Sequence, residues 1–462
     1  MGIKIKMMNK RIISLAVTGV LLGSVSHVQA AGFQLAEYSA TGQGRAFAGE
    51  AAMADNASTQ ARNPAMLTYL EGTSFSAGGI YVMPNVDVTG DISIASPLFG
   101  SQAMTMNADA IDVADNAVVP NFYFSYQIND SWTWGMAVSS NYGLTTELPV
   151  DHGAAIFGSE TSVTSVEFNP NIAYKINQAF SVGAGLRIVY GEGSIGASAP
   201  GWIYGLKAHP SLPADVAAAL PAGGTSLKGM EGDDIAMGWK VGASWQINPA
   251  HRLGFAYHSG VELELDGAVS GLLYTGGQDV DIGAQLPLEL PAFAELASYH
   301  QLSENWAMHA SVNWTQWSVF DELVAYFPGE VKPIDPSDGK PMESDLVKEE
   351  NFKDNWRFAL GSTYQLNNQW LLRTGIAYDN TAVDDEYRTM TIPDSDRLWL
   401  SVGAGYQAFE NLTVDFAVTY IKAYGDAPIN ESMNLMDLAQ VSFDGEAVGD
   451  VWLVGMQLSY KL

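Results

Sequence analysis

The chain has 462 residues, of which 47% are hydrophobic and only 16% are charged, and it contains no cysteine. Its 22 lysines and arginines are outnumbered by 51 aspartates and glutamates, which gives a net charge of −29 at pH 7. The lack of cysteine excludes disulfides, thiolate metal sites and a cysteine nucleophile. The lack of a basic patch argues against nucleic acid as a partner.

The first thirty residues resemble a secretory signal peptide. An apolar stretch, Ile12 to Val25, is followed by a Val-Gln-Ala sequence that ends at Ala30, and it is preceded by the basic residues Lys4, Lys6, Lys10 and Arg11. The apolar stretch is too short to span a bilayer as a helix, so we predict cleavage after Ala30 rather than a membrane anchor. Removal of the four basic residues leaves a mature charge of 18 − 51 = −33.

The mature chain lacks apolar runs of about 18 residues, which argues against helical membrane spans. Apolar residues alternate instead with small or polar ones, most clearly at Trp452, Val454, Met456, Leu458, Tyr460 and Leu462. Similar runs occupy residues 123–128, 182–190, 358–366 and 398–406. One apolar face and one small or polar face suit a strand that lies between lipid and a lumen.

A turn motif recurs along the chain, in which an aromatic, a polar and an apolar residue precede a short polar break. Three copies are clear and three are looser, and they occupy residues 126–132, 174–180, 245–249, 299–306, 364–370 and 406–412. Six short turns join twelve strands, and one strand on each side, at 73–90 and 451–462, makes fourteen. Short turns that alternate with long loops and carry aromatic residues are typical of outer-membrane barrels. The pattern predicts an all-β fold, a 14-stranded antiparallel transmembrane β-barrel, in preference to soluble β-sandwiches.

The segment before the first strand, residues 31–72, lacks this alternation. It is rich in alanine and glycine, and its apolar residues Phe47, Met53, Met66 and Leu67 are spaced as in a folded segment. A segment of this length either hangs free or folds into the lumen, and the spacing favours a plug. The predicted organisation is therefore a signal peptide at 1–30, an N-terminal hatch at 31–72 and a barrel at 73–462.

Several short sequences resemble the FadL family of long-chain fatty acid and hydrocarbon channels. They are Ala31-Gly32-Phe33-Gln34-Leu35, Gly44-Arg45-Ala46, Arg62-Asn63-Pro64-Ala65, Ser140-Asn141-Tyr142-Gly143-Leu144, Phe352-Lys353-Asp354 and Ile392-Pro393-Asp394. The first three resemble the family's hatch, and the fourth resembles its kinked third strand. The matches occur in the family's order between residues 31 and 462, and the resemblance implies a fourteen-stranded barrel plugged by the hatch.

The resemblance also implies a function. Such channels take up long-chain fatty acids or related hydrophobic compounds passively across the outer membrane of a Gram-negative bacterium. They capture the cargo on an extracellular groove, transfer it to a deeper site and release it sideways at the third strand. We therefore expect no enzyme activity, no cofactor and no metal, a hydrophobic cargo and outer-membrane lipid as partners, and a monomer.

Other functions compatible with a barrel are an alkane or aromatic hydrocarbon channel of the same fold, a general porin or structural barrel, and an outer-membrane enzyme. A hatch argues against an open porin. The sequence has no Walker, G-x-S-x-G or H-E-x-x-H motif that would indicate a nucleotide, hydrolase or zinc site.

The residues of the third strand and of the hatch are the first candidate functional residues. Gly143 interrupts a strand-like run, which predicts a bend that either forms a lateral gate or only shapes the barrel. Ser140 and Gly143 are both assigned to the substrate-binding residues. Phe33 is predicted to be buried in the lumen, either near the substrate or in hatch packing. Asn63 and Pro64, with Ala65, are predicted to form a hatch turn, because a proline disfavours helix in the preceding residue.

Two extracellular loops are unusually apolar and are predicted to form the capture groove, or else to pack on each other. The apolar residues that we assign to substrate binding are Trp202, Tyr204 and Leu206 in the first loop, and Leu272 and Leu273 in the second. Their burial of a lipid chain contributes ~0.8 kcal/mol for each CH₂ group.

The chain departs from the family at one basic position. Members with a fatty acid site have an arginine a few residues beyond the strand that ends at Tyr190, where this chain has Gly193, Ser194, Ile195, Gly196 and Ala197. Lys348 matches the family's other basic position and is predicted to bind the carboxylate, with Lys207 or Lys228 as possible substitutes for the arginine.

Overall fold

The structure is a computed structural model that describes residues 32–97, 103–278, 280–335, 338–435 and 438–462. The predicted signal peptide, residues 1–30, lies outside these ranges. The strands, in chain order, are β1 (Thr73–Ala95), β2 (Met104–Asn107), β3 (Ala117–Gln127), β4 (Trp132–Ser139), β5 (Gly143–Glu147), β6 (Glu160–Lys175), β7 (Phe180–Ser198), β8 (Ser226–Asn248), β9 (His251–His258), β10 (Val261–Ser270), β11 (Ile282–Leu290), β12 (Phe293–Ser303), β13 (Trp306–Thr315), β14 (Glu322–Tyr326), β15 (Ser344–Glu349), β16 (Asn355–Gln365), β17 (Trp370–Asp379), β18 (Asp396–Phe409), β19 (Leu412–Tyr424), β20 (Pro428–Leu435) and β21 (Ala439–Lys461).

The helices are short. They are α1 (Ala40–Gln43), α2 (Thr59–Arg62), α3 (Ile203–Lys207), α4 (Ala214–Ala219) and α5 (Leu272–Thr275), with 3-10 turns at Glu50–Ala52, Pro64–Tyr69 and Trp317–Val319. Within the described ranges, no helix has both the length and the apolar character needed to cross a bilayer.

Fourteen of the strands in the described part of the chain form one closed antiparallel ring. Its order is β1, β3, β4, β6, β7, β8, β9, β12, β13, β16, β17, β18, β19 and β21, and β21 pairs back to β1. The closing ladder runs from Ser74 opposite Lys461 to Ala95 opposite Gln440. The predicted 14-stranded antiparallel barrel is confirmed.

Alternation along each ring strand separates a lipid-facing surface from the lumen. On β21, Trp452, Val454 and Met456 are 44–47% exposed, whereas Leu453 and Gln457 are fully buried. A strand of 9–11 residues is enough to cross a bilayer, so the 23 residues of β1 and of β21 extend the wall beyond the membrane.

The recurrent turn motif has a local cause. In four of the six turns an asparagine side chain accepts a hydrogen bond from the backbone N–H two residues later, at Asn129, Asn177, Asn248 and Asn367. The short asparagine side chain thereby replaces a backbone acceptor and stabilises a tight reversal. The six predicted short turns all join neighbouring ring strands in the structure.

Six of the other seven strands belong to the long connections, and β5 follows β4 along the same edge of β6. β2 and β20 extend the sheet beside β1 and β21, while β10, β11, β14 and β15 form a further sheet that continues from β8. These connections enclose the space above the lumen, and they bring apolar side chains from distant parts of the sequence together.

Residues 32–72, which we call the N-terminal segment, lie inside the ring. α1 contacts β18, β19 and β21, the turn Glu50–Ala52 contacts β9 and β12, and the turn Pro64–Tyr69 contacts β6, β7 and β8. Arg45 forms buried ion pairs with Glu50 and Asp55, both at 2.6 Å, and Arg62 pairs with Glu295 of the wall at 3.1 Å. Paired charges of this kind lower the cost of placing polar groups in the lumen.

Glycines of the wall let the N-terminal segment approach closely. A Cβ atom at Gly254 would overlap the carbonyl of Ala51, and one at Gly375 would overlap the carbonyl of Arg45. The small residues that interrupt the alternating strands therefore provide room for backbone from the N-terminal segment.

Candidate substrate-binding site

The third strand of the ring is broken. β4 ends at Ser139 and β5 begins at Gly143. β4 pairs with both β3 and β6, whereas β5 has only β6 as a ladder partner in the described residues. Residues Ala117–Asn121 of β3 pair with β1 and, among the described residues, have no ladder partner on their other side. Between this part of β3 and β5 there is thus a gap in the hydrogen-bonded wall. Above the gap, a hydrogen bond from Glu147 N to Val113 O, at 3.0 Å, connects the two chain segments.

The break is held by hydrogen bonds from both the wall and the N-terminal segment. Ser140 Oγ donates to Ser165 O at 2.5 Å, and Tyr142 O–H donates to Pro291 O across the lumen at 2.7 Å. Gly143 N donates to Phe33 O at 2.9 Å, next to a bridge between Gln34 and Tyr142. A movement of the N-terminal segment therefore acts directly on the broken strand.

An apolar cavity with about 500 Å³ of empty space, the first cavity, lies against β5. Its lining includes Phe33, Leu144, Met230, Leu286, Leu288 and Phe320, and none of its lining residues is charged. It belongs to a continuous apolar cluster that unites β5, β10, β11, β14 and the N-terminal segment. The cavity is therefore suited to a hydrophobic molecule and unsuited to a sugar or an ion.

Phe33 closes one side of the first cavity and is 1% exposed. Its ring packs edge-on against Trp317 at 4.6 Å and Phe320 at 5.3 Å. The preceding Gly32 has φ +60°, and a Cβ atom there would lie 2.6 Å from the Trp317 ring. Only glycine fits this position easily, so the Ala-Gly-Phe sequence places the aromatic ring against both the cavity and the wall.

The position where the sequence lacks the family's arginine lies at the cavity. Gly193, Ser194 and Ile195 all line it, so no cation replaces the arginine there. Lys228 is paired with Asp345 at 2.6 Å, and Lys207 Nζ donates to Leu220 O at 2.9 Å. Neither lysine lines the first cavity.

Lys348 lies directly behind the cavity lining. It is opposite Leu323 in the ladder between β14 and β15, and its Nζ donates to Thr391 Oγ1 at 2.9 Å. Leu323 and Ile392, the residue after Thr391, both line the first cavity. The ammonium group thus contacts the neighbour of a lining residue, and Glu431 at 4.0 Å is its ion-pair partner.

A buried carboxyl group lies close to this lysine. Glu350 is 1% exposed, and neither carboxyl oxygen has a hydrogen-bond partner in the described part of the chain. Burial raises the pKa of Glu350 to about 7, an effect that Lys348 opposes and Glu431 reinforces. The loop that carries Lys348 therefore contains a group that gains charge near neutral pH.

We expect this group to make the protein less stable as the pH rises. Between about 4.5 and 7 the folded state binds more protons at Glu350 than the unfolded state does, so the free energy of unfolding falls across this range. The loss reaches at most about 3 kcal/mol for a shift of this size. Urea unfolding of lipid-inserted protein at pH 5 and pH 8 measures it.

In this experiment Glu350→Gln should lose much of the pH dependence, whereas replacement of the exposed neighbour, Glu349→Gln, should retain it. An equal pH dependence in wild type and Glu350→Gln would show that the pKa of Glu350 is the same in the folded and the unfolded protein.

The loop residues predicted for the capture groove do not lie together. Trp202 and Leu206 are buried in an apolar cluster with β1, β20 and β21, and Trp202 Nε1 donates to Gly153 O at 2.7 Å. Tyr204 is 57% exposed, and Leu272 and Leu273 are half-buried and precede Tyr274, which belongs to the first cavity's cluster. None of these five residues lines the first cavity.

The Asn63-Pro64-Ala65 sequence lies at the other end of the lumen. Asn63 is extended, with φ −133°, and its side chain accepts from Ala65 N at 2.9 Å and donates to Ala51 O at 2.6 Å. The same side-chain amide of Asn63 also donates a hydrogen bond to Ala243 O of β8 at 3.1 Å. The sequence therefore starts the 3-10 turn Pro64–Tyr69 and attaches it to the wall.

Sequence reasoning missed several residues of the cavity. Phe320, Leu286 and Leu288 come from parts of the chain that lie outside the membrane-spanning strands. The one available signal was the alternation of leucines at 286, 288 and 290. In the described residues, no group of three or more histidines and acidic residues is placed to hold a metal ion.

Comparison with known proteins identifies the family. The sequence model of the outer membrane protein transport protein family (OMPP1/FadL/TodX) matches residues 21–462. The chain belongs to the FadL family. A FadL-family relative from Escherichia coli O6:H1, described as a long-chain fatty acid transport protein, is 34% identical over 448 residues, which cover 93% of this chain and 94% of that protein. A 47 kDa outer membrane protein of Pasteurella multocida is 38% identical over 417 residues, 87% of this chain and 89% of its own.

Solved structures of the FadL family share the fold. A FadL homologue from Pseudomonas aeruginosa superimposes with a TM-score of 0.76 at 23% identity, over 93% of this chain and 100% of the other. The toluene transporter TodX from Pseudomonas putida gives 0.64 at 17% identity, over 94% and 100%. The predictions of a FadL-family barrel, of an outer-membrane location and of a transporter rather than an enzyme are confirmed.

Proposed function

We propose that the protein carries long-chain fatty acids, or related hydrophobic compounds, passively inward across the outer membrane. The observation that carries this proposal is the apolar first cavity, which lies against the broken strand β5 beside a gap in the hydrogen-bonded wall. Its lining side chains are apolar or small, and apolar lining with few polar groups is typical of sites for hydrophobic molecules. The fatty acid transport name of the Escherichia coli relative supports the same cargo.

We propose that residues 31–72 act as a hatch after removal of residues 1–30. The N-terminal segment fills the lumen between opposite walls, so an open aqueous path is blocked. Its Phe33 touches the cavity, and the carbonyl of the same residue binds Gly143 of β5. Substrate in the cavity is thereby coupled to the broken strand, and the gap beside Ala117–Asn121 is the proposed lateral exit.

We propose that the apolar outer face of the ring contacts outer-membrane lipid and that the protein works as a monomer. Substrate that leaves through the gap then stays in an apolar environment, which avoids transfer of its methylene groups into water at ~0.8 kcal/mol each. We propose capture at the extracellular loops, where the half-buried Leu272 and Leu273 precede Tyr274 of the first cavity's cluster.

A neutral hydrocarbon is the second candidate cargo. The first cavity has no charged lining residue, and Gly193–Ile195 occupy the place of the family's arginine. Several similar folds are described as toluene transporters or monoaromatic hydrocarbon channels. A general porin is disfavoured by the filled lumen, and liposome swelling in sugar solutions separates that function from both apolar cargoes.

Mass spectrometry of molecules extracted from the purified protein tests the proposal. Wild type should carry a fatty acid or hydrocarbon, whereas Leu288→Trp, which fills the first cavity, should not. Leu458→Trp on the lipid-facing surface is the matched control, and it should retain the wild-type cargo. The same extracted molecules in all three proteins, or none in any, would argue against a substrate cavity.

A further inference from the structure

A second cavity, with about 560 Å³ of empty space, lies beyond a thin partition from the first. Ile392 lines the first cavity, and the next residue, Pro393, lines the second. On β5, Leu144 lines the first and Thr146 the second, and Thr146 Oγ1 donates to Thr391 O at 2.7 Å. The two cavities therefore lie along the same face of β5, and one loop segment separates them.

The second cavity is largely apolar, with a single cation. Its apolar lining includes Pro84, Val86, Ile421, Ala447 and Val451, and the cation is Arg397. Two of these residues, Ile421 and Val451, also belong to the apolar cluster that contains Ala117 and Val119 of β3. The cavity also lies beside the gap in the wall, because its lining residues Ala114 and Thr146 are next to Val113 and Glu147, which are hydrogen-bonded above the gap.

Arg397 has unused hydrogen-bonding capacity. The residue is 6% exposed, and one of its terminal nitrogens, Nη2, donates to Asp394. The other, Nη1, has no hydrogen-bond partner in the described part of the chain. A buried donor without a partner is unfavourable, and a carboxylate is the acceptor that a guanidinium group prefers.

Two carboxyl groups of the chain lie near Arg397 without satisfying it. Asp450 also lines the cavity, but it accepts a hydrogen bond from Tyr420 at 3.2 Å, and Tyr420 packs on Trp452 at the lipid-facing surface. Glu37 of the N-terminal segment acts on Arg397 electrostatically, yet in the described residues its carboxyl oxygens accept no hydrogen bond. Nη1 therefore remains available to a ligand.

We propose that the second cavity is a carboxylate-recognition site, in which a fatty acid places its headgroup on Arg397 after it leaves the first cavity. This inference rests on the proposed function and refines it. Arg397 supplies, at a later point on the path, the guanidinium group that the first cavity lacks. The partition Thr391–Pro393 is then the barrier between two successive substrate positions.

Native mass spectrometry of the detergent-solubilised protein tests the proposal by counting bound oleate. Wild type should bind two oleates and Arg397→Met one, because loss of a charge-assisted hydrogen bond weakens binding roughly tenfold or more. Ala447→Phe, which fills the second cavity, should also bind one. Arg397→Lys should retain the second oleate, and hexadecanol binding should be the same in wild type and Arg397→Met.

Arg373→Met is the matched control. Arg373 is a buried arginine paired with Asp415 at 2.6 Å, and it does not line the second cavity, so this variant should bind two oleates. Retention of a folded, heat-modifiable band on SDS gels identifies variants that have assembled. Two oleates in both Arg397→Met and Ala447→Phe, or a single oleate in wild type, would overturn the inference. No oleate in wild type would instead refute fatty acid transport itself.

Discussion

Replacement of Lys348 by alanine is expected to weaken oleate binding to the first cavity about ten- to a hundredfold. The ammonium group donates to the hydroxyl of Thr391, the residue before the lining residue Ile392, and we expect an entering carboxylate to replace this hydroxyl contact. A hydrogen bond to a charged group contributes about 1.5–3 kcal/mol, and about 1.4 kcal/mol corresponds to a factor of ten in affinity. Binding of hexadecane should not change.

Titration calorimetry in the Arg397→Met background isolates this effect, since one carboxylate site then remains. Lys353→Ala removes a lysine that is half exposed and paired with Asp384, and it should leave oleate affinity unchanged. Lys348→Arg should preserve most of the affinity. Equal oleate affinity of wild type and Lys348→Ala would remove Lys348 from the site and would favour neutral hydrocarbons as the cargo.

Gly143→Val is expected to slow the uptake of oleate and of hexadecane to a similar degree while substrate binding persists. Residue 143 faces away from the first cavity, because Leu144 beside it lines that cavity and side chains alternate along a strand. A β-branched side chain there would occupy space on the other side of β5 and would disturb the bond between Gly143 N and Phe33 O.

An extra side chain in a packed region costs about 1–3 kcal/mol. If this cost raises the free-energy barrier for exit of the substrate, passage slows roughly tenfold or more. Thr145→Val is the matched control, because Thr145 is on the same face of β5, is half exposed and keeps its branched shape. Uptake of labelled substrate by cells with equal amounts of assembled barrel measures both. Normal uptake by Gly143→Val would give Gly143 a purely structural role.

The barrel could be predicted from local signals. Alternation in each ring strand, and asparagine turns such as those at Asn129 and Asn177, depend on residues close together in sequence. The length of the last strand was underestimated: Val451 was the predicted start, whereas β21 begins at Ala439. Its extra residues pair with β1 and β20 beyond the membrane, where lipid no longer imposes alternation.

The site was harder to predict because it is assembled from remote segments. Phe33, Gly143 and Lys348 could be proposed from the sequence, since each lies in a short sequence that carries its own signal. Phe33 lines the first cavity, Gly143 precedes the lining residue Leu144, and Lys348 contacts the neighbour of a lining residue, while their roles stay predictions. Arg397 was missed because it looks like one more arginine at the start of a strand. Its role depends on burial and on an unpaired nitrogen, and these properties exist only after folding.

Fatty acid uptake by this protein is tested most directly in Gram-negative cells that lack their own fatty acid channel. The quantity to measure is the initial rate at which these cells accumulate labelled oleate. An intact outer membrane is essential here, because a fatty acid crosses a simple lipid bilayer unaided. Cells that express this protein should accumulate oleate faster than cells with an empty vector. Gly143→Val should remove most of the difference between the two rates. Equal rates with and without assembled wild-type protein would contradict fatty acid uptake by this protein.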